Sequence, residues 1–328
     1  MTSNDSFSPL AIFFFLFYGT VFVVSFVGNT WVLVTCYRNL NRNQFSLMWY
    51  VANLASADLL FTFLTPFDAI SFAWRWVGGN TTCKLQGFLI ETSYTTSITT
   101  LVVISHLRLK AVTDPLNSRS GRFSNREYTK LVIIWSICLV ICSPIAHIYR
   151  VEPDENGKLV CTNTTWGSIG RQIYYTLHAV FFFIIPLIYI IVTQQKISRS
   201  LKANVIPIGN SHIMKSNQRQ KRVAKTLVAL SLAFVLCWTS FMILRTLMYF
   251  DLASPGLGWR AAQLMIFLNT ALDPLLYGYY GGNLKSKVRS ILRCNYQNRL
   301  NPESIASTPF HTSHSLGMRE THEKVSKN

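Results

Sequence analysis

Seven stretches of mostly apolar residues constrain this chain more than any other feature. They run over approximately 10–36, 47–72, 84–112, 131–149, 173–195, 223–249 and 261–280. Each is long enough to cross about 30 Å of hydrocarbon as a helix, which takes about 20 residues. Inside lipid every backbone N–H and C=O must be paired within its own segment, so helices are expected. None of the stretches alternates in the period-2 manner of a membrane barrel strand. The connections are short. The fold class is therefore an all-α membrane protein, a single bundle of seven transmembrane helices.

Composition agrees. Charged residues are 14% of the 328 and hydrophobic residues 50%. A soluble domain carries about 25% charged residues. The net charge of +17 would suit a nucleic-acid binder, but hydropathy excludes a soluble one. The seven Cys show no CxxC pair and no metal-ligand spacing. No basic n-region precedes the first apolar run, so span 1 is expected to act as its own uncleaved signal.

Placement of Lys and Arg sets the orientation. Twenty-four of the 31 fall after span 1, around the 3–4 and 5–6 connections, or beyond span 7. Those regions are cytoplasmic, and the N-terminus is outside. The basic face also suits anionic membrane lipid. Three sequons, at Asn4, Asn80 and Asn163, all fall in segments assigned to the outside. Cys83 and Cys161 fall there too, where an oxidising exterior permits a disulfide that would pin the 4–5 loop across the bundle mouth. Cys294 follows a short amphipathic run and is a palmitoylation candidate or a plain free thiol.

Ionisable residues inside spans point to function. Asp58 of span 2 and Asp273 of span 7 lie near mid-membrane depth with no Lys or Arg near them in sequence. Two such carboxylates repel unless a cation or a proton intervenes. A sodium ion held with Ser97 and Asn269 would resolve this. A protonated carboxyl in a hydrated network is the alternative. Asp68, Glu91 and Arg245 lie toward the outer ends of spans 2, 3 and 6. They are expected either to line a ligand cavity or to tie helices together as an acid–Arg pair. His106, His147 and His178 are scattered, and no HExxH, GxSxG or P-loop occurs, so no enzyme is indicated.

One or more motifs in each helix, in order, resemble the rhodopsin-like (class A) family of G-protein-coupled receptors. They are Gly28-Asn29, Leu54 with Asp58, Trp76-Val77-Gly78 before Cys83, and Arg108 with Asp114-Pro115-Leu116. Trp135, Pro144, Pro186, Phe234 with Cys237-Trp238, and Asp273-Pro274-Leu275-Leu276-Tyr277 follow. The resemblance covers span 1 through a short amphipathic eighth helix, about 290 residues. The implied domains are a tail over 1–9, a receptor domain over 10–294 and a disordered cytoplasmic tail over 295–328.

The resemblance implies that an extracellular ligand biases an inactive–active equilibrium and that a heterotrimeric G protein binds the opened cytoplasmic cleft. It implies a plasma-membrane location and assigns Asp58, Ser97, Asn269 and Asp273 to an allosteric Na+ site. Arg108, Phe234, Trp238, Pro274 and Tyr277 become its activation switch. Ser304, Ser307, Thr308, Thr312, Ser313 and Ser315 are candidates for phosphorylation and arrestin recruitment.

Departures from the family pattern are Leu107-Arg108-Leu109 for its Asp-Arg-Tyr, Gln220 for a glutamate below span 6, Gln194 for a span 5 tyrosine and Ser240 for a span 6 proline. Leu284 replaces the phenylalanine of its eighth helix. A weakly restrained inactive state is expected. Ile90 where amine receptors carry Asp argues against an amine ligand, and the lack of Lys in span 7 argues against retinal. A neuropeptide is the expected ligand, attracted in part by Glu152, Asp154 and Glu155 of the 4–5 loop. An anionic small molecule held by Arg245 is the alternative. A seven-helix transporter is a further one, although no internal repeat is visible.

Overall fold

The computed structural model describes residues 9–38, 45–73, 75–114, 124–154, 157–203, 211–254 and 256–281. The expected eighth helix lies outside them, as do Asn4, Glu155, Leu284, Cys294 and the tail hydroxyls. Span 1 is α1 (Pro9–Arg38), span 2 is α2 (Phe45–Ala73) and span 3 is α3 (Gly79–Thr113). Span 4 is α4 (Ser124–Cys142). It starts earlier than the hydropathy suggests and stops at Ser143–Pro144, after which a single turn, α5 (Ile145–Ile148), follows. Span 5 comprises α6 (Gly167–Ala179), a π-helical turn (Val180–Ile184) and α7 (Ile185–Ala203). Spans 6 and 7 are α8 (Ser211–Tyr249) and α9 (Leu257–Gly281). Among the described residues, six spans are long and apolar enough to cross a membrane on hydropathy alone. Span 7 carries Arg260, Gln263, Asn269 and Asp273 and so falls short of that measure, yet it packs into the bundle through buried Ile266, Phe267 and Ala271.

The bundle is organised around α3. Its buried residues run from Cys83 to Ser105 and occur on most sides of the helix. By contrast α1 exposes Phe13, Leu16, Val23 and Val27, the surface a helix presents to lipid tails. Gly28 lets α1 approach α9, because a Cβ there would sit 2.7 Å from Cγ of Pro274.

Four prolines interrupt the helices, and each is answered by a side chain. Proline has no N–H and leaves the carbonyl four residues back without its helical donor. In a lipid-enclosed bundle that carbonyl needs another partner. Thr65 Oγ1 donates to Thr62 O, four residues before Pro66, at 2.8 Å. Ser143 Oγ donates to Val140 O, four before Pro144, at 2.8 Å. The Tyr94 hydroxyl donates to Phe182 O, four before Pro186, at 2.8 Å. Asn29 Nδ2 donates to Thr270 O, four before Pro274, at 2.9 Å. Two of these donors belong to a different span, so the interruptions in spans 5 and 7 also join helices. Span 6, with Ser240 in place of proline, runs as one unbroken helix.

Outside the bundle, β1 (Arg150–Pro153) and β2 (Leu159–Thr162) form an antiparallel hairpin with Val151 opposite Cys161. Cys161 is bonded to Cys83 at the head of α3, 78 residues away. Closing a loop of that size contributes on the order of 4 kcal/mol by chain entropy. Trp76 N donates to Leu159 O at 2.8 Å, and Val151 N to the Asn80 side chain at 3.2 Å. The hairpin is thereby fixed over the mouth.

Candidate functional site

Beneath the hairpin, Glu91 and Arg245 meet. They lie on α3 and α8, 154 residues apart, and are 8% and 5% exposed. Arg245 Nη1 donates to both carboxylate oxygens, at 3.0 and 2.9 Å, and Nη2 lies 3.1 Å from Met242 Sδ. The guanidinium also lies over the rings of Tyr175 and Phe241, at 4.8 and 5.2 Å. Aromatic faces stabilise a desolvated cation. The two expected roles of these residues are not exclusive, because the pair ties α3 to α8 at the floor of the mouth.

Asp68 does not join them. It lies with Phe14, Tyr18, Arg260 and Gln263 around a water-sized cleft between spans 1, 2 and 7. Gln86 bonds both Asp68 and the Leu64 carbonyl. The expected trio is thus split into two places by the rotation of α2 about its axis.

The mouth connects to the interior through aromatic contacts. Tyr94 lies one turn below Glu91 on the same face of α3. Its ring stacks on Trp238 at 4.1 Å, and Trp238 stacks on Phe234 at 5.7 Å. Trp238 lies seven residues before Arg245, about 10 Å along α8. Both expected switch aromatics are therefore in one stack that begins at the charged floor.

Deeper, Asp58 and Asp273 are both buried, with their carboxyl groups near enough to interact. Asp58 Oδ2 and Asn269 Oδ1 are buried oxygens without a hydrogen-bond partner. Ser97 is buried on α3. These are hard oxygen donors of the kind a small cation takes, so the residues fit the expected sodium ion. Among the described residues no group of three or more His, Cys, Asp or Glu suits a metal.

At the end of the bundle away from the hairpin, the Tyr277 hydroxyl and both amide atoms of Gln194 are buried without hydrogen-bond partners. Arg108 is half-buried, and Leu107 beside it packs onto the core. Three polar contacts there were not foreseen. The fully buried Tyr50 hydroxyl donates to Glu127 Oε2 at 2.6 Å, and Lys130 Nζ bonds Glu127 Oε1 at 3.0 Å. His106 Nδ1 lies 2.8 Å from the Tyr189 hydroxyl. Glu127 was legible as the one acid in a basic run, whereas nothing in the sequence pairs it with Tyr50.

The acidic loop residues serve the hairpin itself. Glu152 Oε2 accepts from Thr164 and Thr162, and Arg150 pairs with the same carboxylate. The Thr164 hydrogen bond first, then those of Thr162 and Arg150, hold this carboxyl below the usual range. Asp154 Oδ1 accepts from Lys158 N at the turn. Asn163 Nδ2 donates to the Tyr249 hydroxyl at 2.6 Å, and Gln172 donates to Tyr249 O at 2.7 Å. The segment after β2 is thus tied to the end of α8, and the sequon nitrogen of Asn163 is engaged in that tie.

Comparison with known proteins places these features in a wider set. The model of the 7 transmembrane receptor (rhodopsin family) matches residues 28–277. The chain is 28% identical to galanin receptor 2a of Danio rerio, over 87% of this chain and 79% of that one. It is 26% identical to neuropeptide FF receptor 1 of Homo sapiens, over 87% and 71% respectively. It is 27% identical to chemerin-like receptor 1 of Sus scrofa, over 97% and 93%.

Proposed function

From the premise that this chain belongs to the rhodopsin family of seven-transmembrane receptors, we propose that it binds an extracellular neuropeptide and activates a heterotrimeric G protein. It is a multi-pass membrane protein of a receptor family, not of an enzyme family. The names of its relatives, galanin and neuropeptide FF receptors among them, support a peptide. In this reading it resides in the plasma membrane with its N-terminus outside, glycosylated at Asn4, Asn80 and Asn163, and recruits arrestin through its tail.

The single observation that carries the reading is that Tyr94, one turn from Glu91 on α3, stacks on Trp238, which lies two turns from Arg245 on α8. A ligand shifts a two-state equilibrium only through unequal interactions with the two states. A ligand that displaces Arg245 from Glu91 does so next to the residue that stacks on Trp238. The anionic-ligand reading loses weight here, because the charge of Arg245 is already met by Glu91.

The test is G-protein activation in cells across the main Gα families, without ligand and with a peptide library, with Arg108→Ala as the paired control. A peptide response lost in Arg108→Ala is the expected result. A response to anionic metabolites alone, abolished by Arg245→Ala, would replace the peptide reading. In the same reading Na+ binds between Asp58 and Asp273 with Ser97 and Asn269. Na+ should then raise the unfolding midpoint of the purified receptor where choline does not, and Asp58→Asn should remove the difference. Equal midpoints in both salts would exclude the ion.

A further inference from the structure

Glu91 has a second neighbour. His178 of α6 is 3% exposed, and its Nδ1 lies 3.3 Å from Glu91 Oε1. Its Nε2 lies 3.1 Å from the Thr95 hydroxyl. Thr95 has one hydrogen to give, and at 2.7 Å it goes to the Glu91 main-chain carbonyl. Toward His178 the Thr95 oxygen can then only accept, which places a hydrogen on Nε2. A neutral ring in that tautomer leaves a lone pair on Nδ1, 3.3 Å from a carboxylate oxygen, and Nδ1 is the ring nitrogen without a hydrogen bond. A proton on Nδ1 would turn this contact into an ion pair, which a small rotation of either side chain aligns as a charge-assisted N–H donation.

We propose that His178 and Glu91 form a proton-binding site in the floor of the mouth, and that the bound proton competes with Arg245 for Glu91. A hydronium ion of the extracellular water gives its proton to Nδ1: one O–H bond breaks, one N–H bond forms, a water molecule is released and the ring becomes an imidazolium. The surrounding groups are few. From α3 come Glu91, Thr95 and the Tyr94 ring at 5.9 Å. From α4 comes Cys142, whose thiol lies 3.5 Å from the Thr95 hydroxyl. From α6 comes Tyr174, and from α8 comes Arg245. Glu91 is the one carboxylate of this set and Arg245 its one permanent cation.

While Arg245 holds both oxygens of Glu91, a second cation beside the carboxylate is repelled, and burying it is costly. Drawing Arg245 away removes the repulsion and frees Glu91 to pair with the imidazolium. Whatever displaces Arg245 therefore binds with proton uptake, and by linkage acid favours the same state. The coupling to signalling rests on the receptor reading above, whereas the proton site does not.

Two measurements on the full chain test this. In the first, the receptor in lipid nanodiscs carries 15N-labelled histidine, with the His178 signals assigned by their loss in His178→Gln. Between about pH 8 and pH 5 the ring is expected to gain its second proton. Glu91→Gln should lower the midpoint by about one pH unit or more, and Arg245→Met should raise it. Thr95→Val removes the acceptor for Nε2–H without unpairing a charge and should also lower it, which keeps the test decisive if a charge variant fails to fold. A ring that stays neutral to pH 5, or one midpoint shared by wild type and all variants, overturns the site.

In the second, cells are shifted from about pH 7.4 to about pH 6 outside while ligand-free G-protein activation is read. A change of about threefold or more, absent in His178→Gln, is expected. An equal change in His178→Gln overturns the coupling. If no Gα family responds at any pH, without ligand or with the peptide library, while the ring still titrates, the receptor reading fails and the proton site stands.

Discussion

Arg245 Nη1 donates to both oxygens of Glu91, so one nitrogen carries the whole ion pair, while Nη2 rests against Met242 Sδ. Removing either charge strands the other in a buried setting. Glu91→Gln or Arg245→Met should each destabilise the receptor by about 3–5 kcal/mol. The double variant should recover most of that loss, because no unmatched charge remains. Thermal unfolding of the purified receptor in detergent, read for all four forms, checks this. Additive losses in the double variant would show that the pair is not coupled.

Tyr94 serves two elements through different atoms. Its hydroxyl answers the carbonyl of Phe182 and its ring lies on Trp238. Tyr94→Phe keeps the ring and should cost about 1–3 kcal/mol, the penalty of an unmet buried carbonyl. Tyr94→Leu should cost more and should also alter basal signalling, since Trp238 loses its stacking partner. Unfolding midpoints together with ligand-free G-protein assays separate the two roles.

Leu107 stands where the family's acid would restrain Arg108, and it packs onto the core instead. Leu107→Asp should lower ligand-free activity, at equal surface expression, by several-fold. Each 1.4 kcal/mol by which the new pair favours the inactive state is about a tenfold change in the equilibrium. Equal or higher basal output from the variant would sink the idea of a loosened restraint.

The hairpin should be sensitive to acid. Glu152 has a depressed carboxyl pKa in the folded hairpin, through Thr164, Thr162 and Arg150. Its contribution is therefore complete above the unfolded carboxyl value, about 4.3. It is lost as pH falls through the lower folded value. Amide protection at residues 150–154 and 157–164, taken relative to the intrinsic exchange rate at each pH, should hold steady from neutral pH to about pH 5 and fall below about pH 4. In Glu152→Gln the protection should be lower at neutral pH and unchanged by acid.

What the sequence determined by itself is whatever depends on order along one chain. Apolar run length against bilayer thickness decides the count of spans, and Lys and Arg placement sets the direction expected of them. The positions of Pro66, Pro144, Pro186 and Pro274 mark where helices must find another donor. Which donor answers was not legible, since Asn29 serves Thr270 from 241 residues away and Tyr94 serves Phe182 from 88. The same holds at the mouth. Asp68, Glu91 and Arg245 were legible as candidate site residues because charge is costly in a membrane. Only the tertiary structure sent Asp68 toward Arg260 and brought His178 to Glu91. A helix turns about 100° per residue, so one position of rotation decides which neighbour a side chain faces. A hydrogen bond spans only about 3 Å. Partner choice is therefore a property of packed helix faces, and the packing is not written in any one span.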